Sequence, residues 1–192
     1  MSILACKPVF FYGTKTIEPT SRFWHKLLLM PFDLNETKDA ILKPLQHHKI
    51  IDFVFDEEAI EILFAKSKGH PYFLKLLCHY IFRNAHASKT IVTRELLETI
   101  YPEILLSLAQ DRFSSDLQIA TDKEQSLLFA CSQLADEFTL SDIKQFISGN
   151  PNEHVRRLVS KELLIQVKRG CYSFYHPLFK EFLLFKMSGK LS

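Results

Sequence analysis

The stretch Lys68-Gly69-His70-Pro71-Tyr72-Phe73-Leu74 (residues 68–74) joins the two most strongly marked helical segments of this sequence. Gly69 is a typical helix stop, because glycine adopts a positive φ without steric cost. Pro71 is a typical first helical residue, because the N–H that it lacks would have no partner within the helix. Residues 57–68 before the stretch and residues 71–81 within and after it carry apolar side chains at helical spacing. The pattern predicts a tight turn between two packed helices.

Capping signals predict further helices on both sides of this turn. Upstream, Asn35 is predicted to cap a helix that Pro44 kinks or ends, and Asp56 to cap the helix that stops at Gly69. Downstream, a helix is predicted to start after Thr93, with Pro102 as a candidate kink. Three later helix starts are predicted near residues 122, 140 and 151 by Thr121-x-x-Glu124, Thr139-x-x-Asp142 and Asn150-Pro151-x-Glu153.

A β-hairpin is predicted after these three helices. Residues 164–167 and 171–174 are predicted to form two short strands. The turn between them contains Gly170, which can take the positive φ that the turn needs. A last helix is predicted from Pro177, with His176 as its cap. Three helices followed by a hairpin are typical of a winged helix, which is a helix-turn-helix unit with a β wing.

The composition excludes several catalytic and nucleotide-binding loops. The chain has 192 residues, 47% of them hydrophobic and 24% charged, which is ordinary for a globular protein. The shortest interval between two of its five glycines is 19 residues, from Gly170 to Gly189. A Walker A loop, a Rossmann loop and a G-x-S-x-G nucleophile elbow each need glycines only a few positions apart. This sequence therefore forms none of the three.

Charge and cysteine usage indicate a cytoplasmic protein. The 24 Lys and Arg residues against 22 Asp and Glu residues give a net charge of +2, so a nucleic-acid-binding surface would have to be a local patch. The cysteines at 6, 78, 131 and 171 form no C-x-x-C pair, which is typical of reduced, buried thiols. No apolar run is long enough to predict a membrane-spanning helix.

Five segments resemble, in this order, the later half of archaeal-type STAND ATPases of the AAA+ superfamily. They are VFFYGT (9–14), LMPFDLNETKDAILKPL (29–45), AIEILFAKSKGHPYFLKLLCHYIF (59–82), IVTRELLETI (91–100) and YSFYHPLFKEFLL (172–184). In that family a core strand ends in a polar sensor residue, a helical lid with a G-x-P motif follows, and a winged helix ends in an H-P-L-F-like segment. The resemblance implies that Walker A and Walker B segments would lie upstream of Met1.

The resemblance also implies the domain organisation of a mainly α protein. Residues 1–34 would be a small strand remnant of the α/β AAA+ core, residues 35–120 a helical lid domain, and residues 121–192 a winged-helix domain.

By the same resemblance, Gly69, His70 and Pro71 would lie on the adenine and ribose side of a nucleotide. The alternative is a plain junction between two helices, with glycine as stop and proline as start. Thr14 matches the position of the sensor residue near the γ-phosphate, and Arg22 matches an arginine that acts across a subunit boundary. A loop threonine and a surface arginine are the alternatives at these two positions.

Basic residues on the predicted third helix and at the wing tip are candidates for nucleic-acid contact, since phosphates are bound by such clusters. They are Arg156, Arg157, Lys161, Lys168 and Arg169. Residues 122–192 carry only 10 Lys and Arg against 8 Asp and Glu, a net of +2. A wing that contacts protein or acts as an autoinhibitory element is therefore the favoured interpretation, with DNA contact and a merely solvated basic face as alternatives.

We expect this chain to be a lid and winged-helix regulatory module that is not an enzyme on its own. Nothing in it holds the β- and γ-phosphates or Mg²⁺, so ATP and Mg²⁺ are implied only for a complete family member. No catalytic constellation and no metal-ligand spacing is present. The expected partner is the missing nucleotide-binding half or another protein subunit, with self-association through a strand edge at Phe10 and Phe11. The alternative is a winged-helix DNA-binding protein whose helical first half serves as an adaptor or dimerisation module.

Overall fold

Capping side chains and prolines set the helix starts in the computed structural model, which describes residues 30–84, 89–146 and 150–189. The fold is mainly helical, as predicted. Its helices are α1 (Leu34–His47), α2 (Glu57–Ser67), α3 (Pro71–Asn84), α4 (Arg94–Leu108), α5 (Ser114–Gln118), α6 (Asp122–Ser132), α7 (Leu140–Lys144), α8 (Pro151–Ser160) and α9 (Pro177–Met187). Its strands are β1 (Phe53–Phe55), β2 (Thr90–Val92), β3 (Glu137–Thr139), β4 (Leu164–Lys168) and β5 (Cys171–Phe174).

Most of the predicted helix caps are confirmed. The N-caps are Asp56 for α2, Thr93 for α4, Thr121 for α6, Thr139 for α7, Asn150 for α8 and His176 for α9. Thr121 with Glu124 and Thr139 with Asp142 form the two predicted capping boxes. These signals are local, so the sequence is sufficient to place them.

The first described helix differs from the prediction at its start, and at its end it excludes one of the two alternatives predicted for Pro44. Its N-cap is Asp33 rather than Asn35, because Asp33 and Glu36 form a capping box in which each side chain accepts a backbone N–H of the other residue, at 2.8 and 3.0 Å. Pro44 does not end the helix, which continues to His47. Asn35 becomes an ordinary residue of the first turn.

Two small sheets complete the fold of the described residues. Phe53–Phe55 and Thr90–Val92 pair in parallel, and neither strand is predicted by the sequence because each has only three residues. The predicted hairpin of β4 and β5 is confirmed, with Gly170 at a φ of +75° in its turn. A third strand, β3, pairs antiparallel with β5 and gives the strand order β3-β5-β4. One face of this sheet packs into the core through Phe138, Leu164 and Phe174.

A cluster of five buried phenylalanines unites helices that are distant in the sequence. Phe113 has ring-centroid distances of 6.1 Å to Phe73, 5.6 Å to Phe179 and 5.5 Å to Phe182, and Phe174 lies 6.0 Å from Phe179. Phe113 is the last residue of a π-helical turn, Ala109–Phe113, which connects α4 to α5. We refer to these five residues as the phenylalanine cluster.

The phenylalanine cluster spans the boundary predicted near Ala120. Phe73 and Phe113 precede that residue, whereas Phe174, Phe179 and Phe182 follow it. Helix α9 also packs against α2, α4 and α6, so the buried core is continuous on both sides of the boundary. The domain limits at residues 34 and 120 stay predictions, and residues 1–29 of the first region lie outside the described part of the chain.

The turn at Gly69 is a close approach of two backbone segments. Gly69 has a φ of +69°, and its carbonyl accepts a 2.8 Å hydrogen bond from the backbone N–H of Phe32. A β-carbon on Gly69 would lie 2.0 Å from the carbonyl oxygen of Phe32. Glycine is therefore required here both for its conformation and for the absence of a side chain.

Within the described residues, no helix combines the length and the apolar content that crossing a membrane requires.

We predict that Gly69→Ala lowers the free energy of unfolding by about 2 kcal/mol or more, because backbone strain adds to a clash with backbone. Gly170→Ala is the matched control, since Gly170 has a φ of +75° and nothing within 4 Å of an added β-carbon. This control should lose only about 1 kcal/mol from the left-handed conformation. Urea unfolding of both variants measures the difference, and equal losses would contradict the packing role of Gly69.

Candidate nucleotide-side turn and basic face

The predicted nucleotide-side residues form one turn but are not equally accessible. His70, between α2 and α3, and Pro71, the first residue of α3, are exposed, whereas Gly69 is buried against Phe32. Tyr72, which the sequence analysis did not select, is 45% exposed, and its ring lies 6.4 Å from that of His70. A ligand can therefore reach His70, Pro71 and Tyr72, while the role of Gly69 is explained by packing.

Helix α9 is attached to this turn by a buried histidine. The ring of His176 is 4% exposed and stacks on Phe73 at a centroid distance of 3.8 Å. Its Nδ1 accepts a hydrogen bond from the backbone N–H of Leu178 at 3.2 Å, so the ring proton is on Nε2. Nε2 then donates to the carbonyl of Ser67, 2.9 Å away at the end of α2. The start of α9 is thus fixed to the backbone three residues before His70.

The environment of His176 keeps it neutral. Burial, partly offset by the hydrogen bond to Ser67 and reinforced by the nearby His70, lowers the pKa of His176 from 6.5 to about 4. A protonated ring would carry a proton on Nδ1 and could no longer cap α9. His176 is accordingly a structural group rather than a general acid or base at neutral pH.

A second attachment of α9 lies at Glu181. Both carboxylate oxygens of Glu181 accept hydrogen bonds from Nζ of Lys66 at 2.9 Å, and one of them also accepts from the hydroxyl of Tyr101. The Lys66 ammonium lies 4.4 Å from the centre of the Tyr101 ring. Burial, and then the charge of Glu181, raise the pKa of Tyr101, so its hydroxyl keeps its proton. We refer to these two attachments together as the α9 joint: the contact of His176 with Ser67, and the contacts of Glu181 with Lys66 and Tyr101.

The five predicted nucleic-acid-contact residues lie on α8, directly after it and at the hairpin tip, and three of them have acidic partners. Lys161 lies 2.5 Å from Glu124, whose side chain is 1% exposed. Arg157 pairs with Glu153 at 2.5 Å, and Lys168 lies 3.9 Å from Glu137.

The ion pair of Lys161 with the buried Glu124 is therefore a structural contact. Burial opposes the ionisation of Glu124, yet hydrogen bonds from Lys161 and from the backbone of Thr121 outweigh it and lower the pKa of Glu124. Because Glu124 lies 37 positions away, no local pattern in the sequence indicates this pairing. Lys161 is an anchor for the end of α8 rather than a free phosphate contact.

Two arginines remain available on this surface. Among the described residues, Arg156 and Arg169 are exposed and have no acidic partner within ion-pair distance. A shallow depression on α8 is lined by Asn150, Asn152, Glu153, Arg156, Arg157 and Ser160. The surface offers amide and guanidinium groups to an anion, with Glu153 opposing it.

Two of the predicted site residues are not placed by the structure. Thr14 and Arg22 lie outside the described residues, so the sensor and subunit-boundary roles stay predictions.

In the described part of the chain, no group of three or more His, Cys, Asp and Glu side chains is arranged to hold a metal ion. Family models, curated proteins and solved structures gave no significant match to this chain.

The low pKa of His176 predicts a pH-dependent contribution to stability. Because the folded protein binds this proton less tightly than the unfolded chain, the contribution is present above pH 6.5 and lost as the pH falls toward 4. We expect wild type to lose up to about 3 kcal/mol relative to His176→Asn over this range. Asparagine keeps a helix-capping group without titrating. Urea unfolding from pH 7 to 4 tests this, and parallel stability curves for the two proteins would contradict it.

The pairing of Lys161 predicts loss of stability rather than loss of a surface contact. Lys161→Ala leaves the carboxylate of Glu124 buried and without its cation, which should cost about 2 kcal/mol or more. Lys168→Ala is the control, because Lys168 is 74% exposed and 3.9 Å from its partner, and it should change stability by less than about 0.5 kcal/mol. Thermal unfolding of both variants decides between an anchoring residue and a solvated one.

Proposed function

We propose that this chain is the lid and winged-helix regulatory module of a STAND-type AAA+ ATPase and works with a nucleotide-binding partner that supplies the P-loop. In this proposal residues 35–120 act as the lid and residues 121–192 as the winged helix. The module itself is not an ATPase and binds no cofactor alone; ATP and Mg²⁺ belong to the assembled enzyme. We also propose a cytoplasmic location.

The α9 joint carries this proposal. A regulatory module must convert a change near the nucleotide into movement of a distant surface, which requires a stiff connection between the two. Here the turn that resembles the G-x-P motif is connected to the last helix by the hydrogen bond from His176 to Ser67 and by the stacking of His176 on Phe73. The ion pair of Lys66 and Glu181 adds a second connection one turn further along α9.

The roles of individual residues follow from their accessibility. His70 and Pro71 would contact the adenine and ribose of a nucleotide held by the partner, and the exposed ring of Tyr72 would extend that contact. Gly69 would serve by allowing the backbone of Phe32 to lie against the turn. The α9 joint would then move α9 together with the hairpin, whose core-facing Phe174 contacts Phe179.

We predict that affinity capture with this chain recovers a P-loop ATPase from its native host in a nucleotide-dependent manner. His70→Ala should reduce recovery in the presence of a non-hydrolysable ATP analogue by about fivefold or more, because it removes a direct contact. His79→Ala is the matched control, since His79 is an exposed histidine on α3, the helix that follows His70. Equal recovery with both variants, or recovery independent of nucleotide, would contradict the proposal. ATP turnover by the purified chain alone would contradict it as well.

A second candidate function is DNA binding by α8 and the hairpin, with the remaining helices as an adaptor or dimerisation unit. The specific observation in its favour is that the exposed side chains of Arg156 and Arg169 have no acidic partner among the described residues. Contacts to phosphates are independent of sequence and weaken as salt rises.

For this second function we predict that the double variant Arg156→Ala/Arg169→Ala weakens binding to a labelled nonspecific duplex about tenfold at low salt. Lys75→Ala/Lys123→Ala is the charge-matched control, because both lysines are exposed and lie outside α8 and the hairpin. Fluorescence anisotropy at two salt concentrations gives the affinities. Absence of binding at low salt, or an equal effect of the two double variants, would remove DNA from the candidate partners.

A further inference from the structure

The outer edge of β4 is an open strand edge. The sheet order β3-β5-β4 puts β4 at one side, and no strand of the described residues pairs with its other side. Four of its five residues are exposed, including Ile165 at 45% and Val167 at 46%. An edge of this kind presents backbone N–H and C=O groups that can pair with another extended chain.

A β-bulge decides which side chains flank this edge. Ile165 is paired with Ser173 and Lys168 with Cys171, while Val167 is the extra residue between Gln166 and Lys168. Ser173 and Cys171 lie two positions apart on β5 and thus on the same face, so the bulge moves Lys168 onto the face of Ile165. One apolar and one cationic side chain, Ile165 and Lys168, consequently share one face of the edge.

The charge at the turn end of this edge is positive, whereas the exposed Glu162 lies two residues before its other end. Lys168 and Arg169 stand at its end, and no residue of β4 is acidic. Glu137 faces Lys168 from β3 at 3.9 Å, with both side chains more than half exposed, so it neutralises little of this charge. Lys161 precedes the edge, with its charge committed to Glu124.

We propose that the outer edge of β4 binds an extended acidic peptide segment of a partner protein by strand addition. The peptide backbone pairs with β4, its apolar side chains cover Ile165 and Val167, and its carboxylates meet Lys168 and Arg169. The bulge limits regular pairing to residues 164–166, so the complex is weak and depends on these side-chain contacts. This binding site is separate from the turn at His70 and does not depend on the function proposed above.

Two other occupants fit the edge less well. A nucleic-acid duplex gains from Lys168 and Arg169 but leaves the exposed apolar groups of Ile165 and Val167 without a complement. A second copy of this chain, paired edge to edge, would bring like charges together, because basic side chains on an edge strand oppose such pairing. An acidic segment with alternating apolar residues satisfies both the charge and the apolar surface.

The test uses the full chain, labelled with ¹⁵N, and a ten-residue probe peptide with alternating glutamate and valine. We expect amide shifts concentrated at residues 164–174, and no binding of the same peptide N-methylated at alternate positions, since that peptide has the same charge but lacks half of the N–H donors. Ile165→Lys should weaken binding about fivefold or more although it adds a positive charge. Ile119→Lys, at another exposed isoleucine outside the sheet, should leave binding unchanged or slightly stronger.

Each other outcome overturns the proposal. Equal binding of the N-methylated peptide, or stronger binding by Ile165→Lys, would show electrostatic attraction without strand pairing. Shifts at residues 164–168 that depend only on protein concentration would assign the edge to a second copy of the chain. Tighter binding of an equally charged duplex at the same residues would assign the edge of β4 to nucleic acid. Absence of amide shifts at millimolar peptide would show that the edge does not bind the proposed ligand. Circular dichroism of both variants confirms that they are folded.

Discussion

The neutral, buried ring of His176 is the constraint on which the arrangement of this protein depends. A single side chain caps α9 through Nδ1, holds the end of α2 through Nε2 and stacks on Phe73 of α3. These three contacts require one tautomer and one ring position, because a proton on the other nitrogen would remove the cap. The phenylalanine cluster then packs beneath the same helix start, so α9 has one orientation relative to the helices that precede residue 120.

Charged residues in this protein divide into those that stabilise the fold and those that remain available for partners. Lys66 and Lys161 lie at 2.9 and 2.5 Å from carboxylates on other helices, and Glu124 is almost fully buried. Arg156 and Arg169 are exposed without such partners among the described residues. Exposed pairs contribute little to stability, whereas removing one member of a buried pair leaves an uncompensated charge. The two lysines that stabilise the fold are thus paired with carboxylates that are fully buried, as Glu124, or partly buried, as Glu181.

The proposed functions use three different parts of one connected structure. The turn at His70 offers exposed rings and a helix start, the α9 joint connects that turn to the hairpin, and the edge of β4 offers backbone groups beside apolar and basic side chains. The turn at His70 and the edge of β4 are connected by buried hydrogen bonds and aromatic packing. Such contacts transmit small shifts on partner binding better than a flexible linker does.

The sequence alone determined most of the helix starts, the Gly69 turn and the β4–β5 hairpin, because capping residues, prolines and glycines act within a few positions of themselves. It also excluded a P-loop through the spacing of its glycines, whereas the structure showed that of Gly69, His70 and Pro71 only the last two are exposed. Only the tertiary structure decided that Lys161 is an anchor, that β1 pairs with β2, and that the bulge turns Lys168 to the face of Ile165. These features depend on contacts between residues far apart in the chain, for which a single sequence contains no local signal.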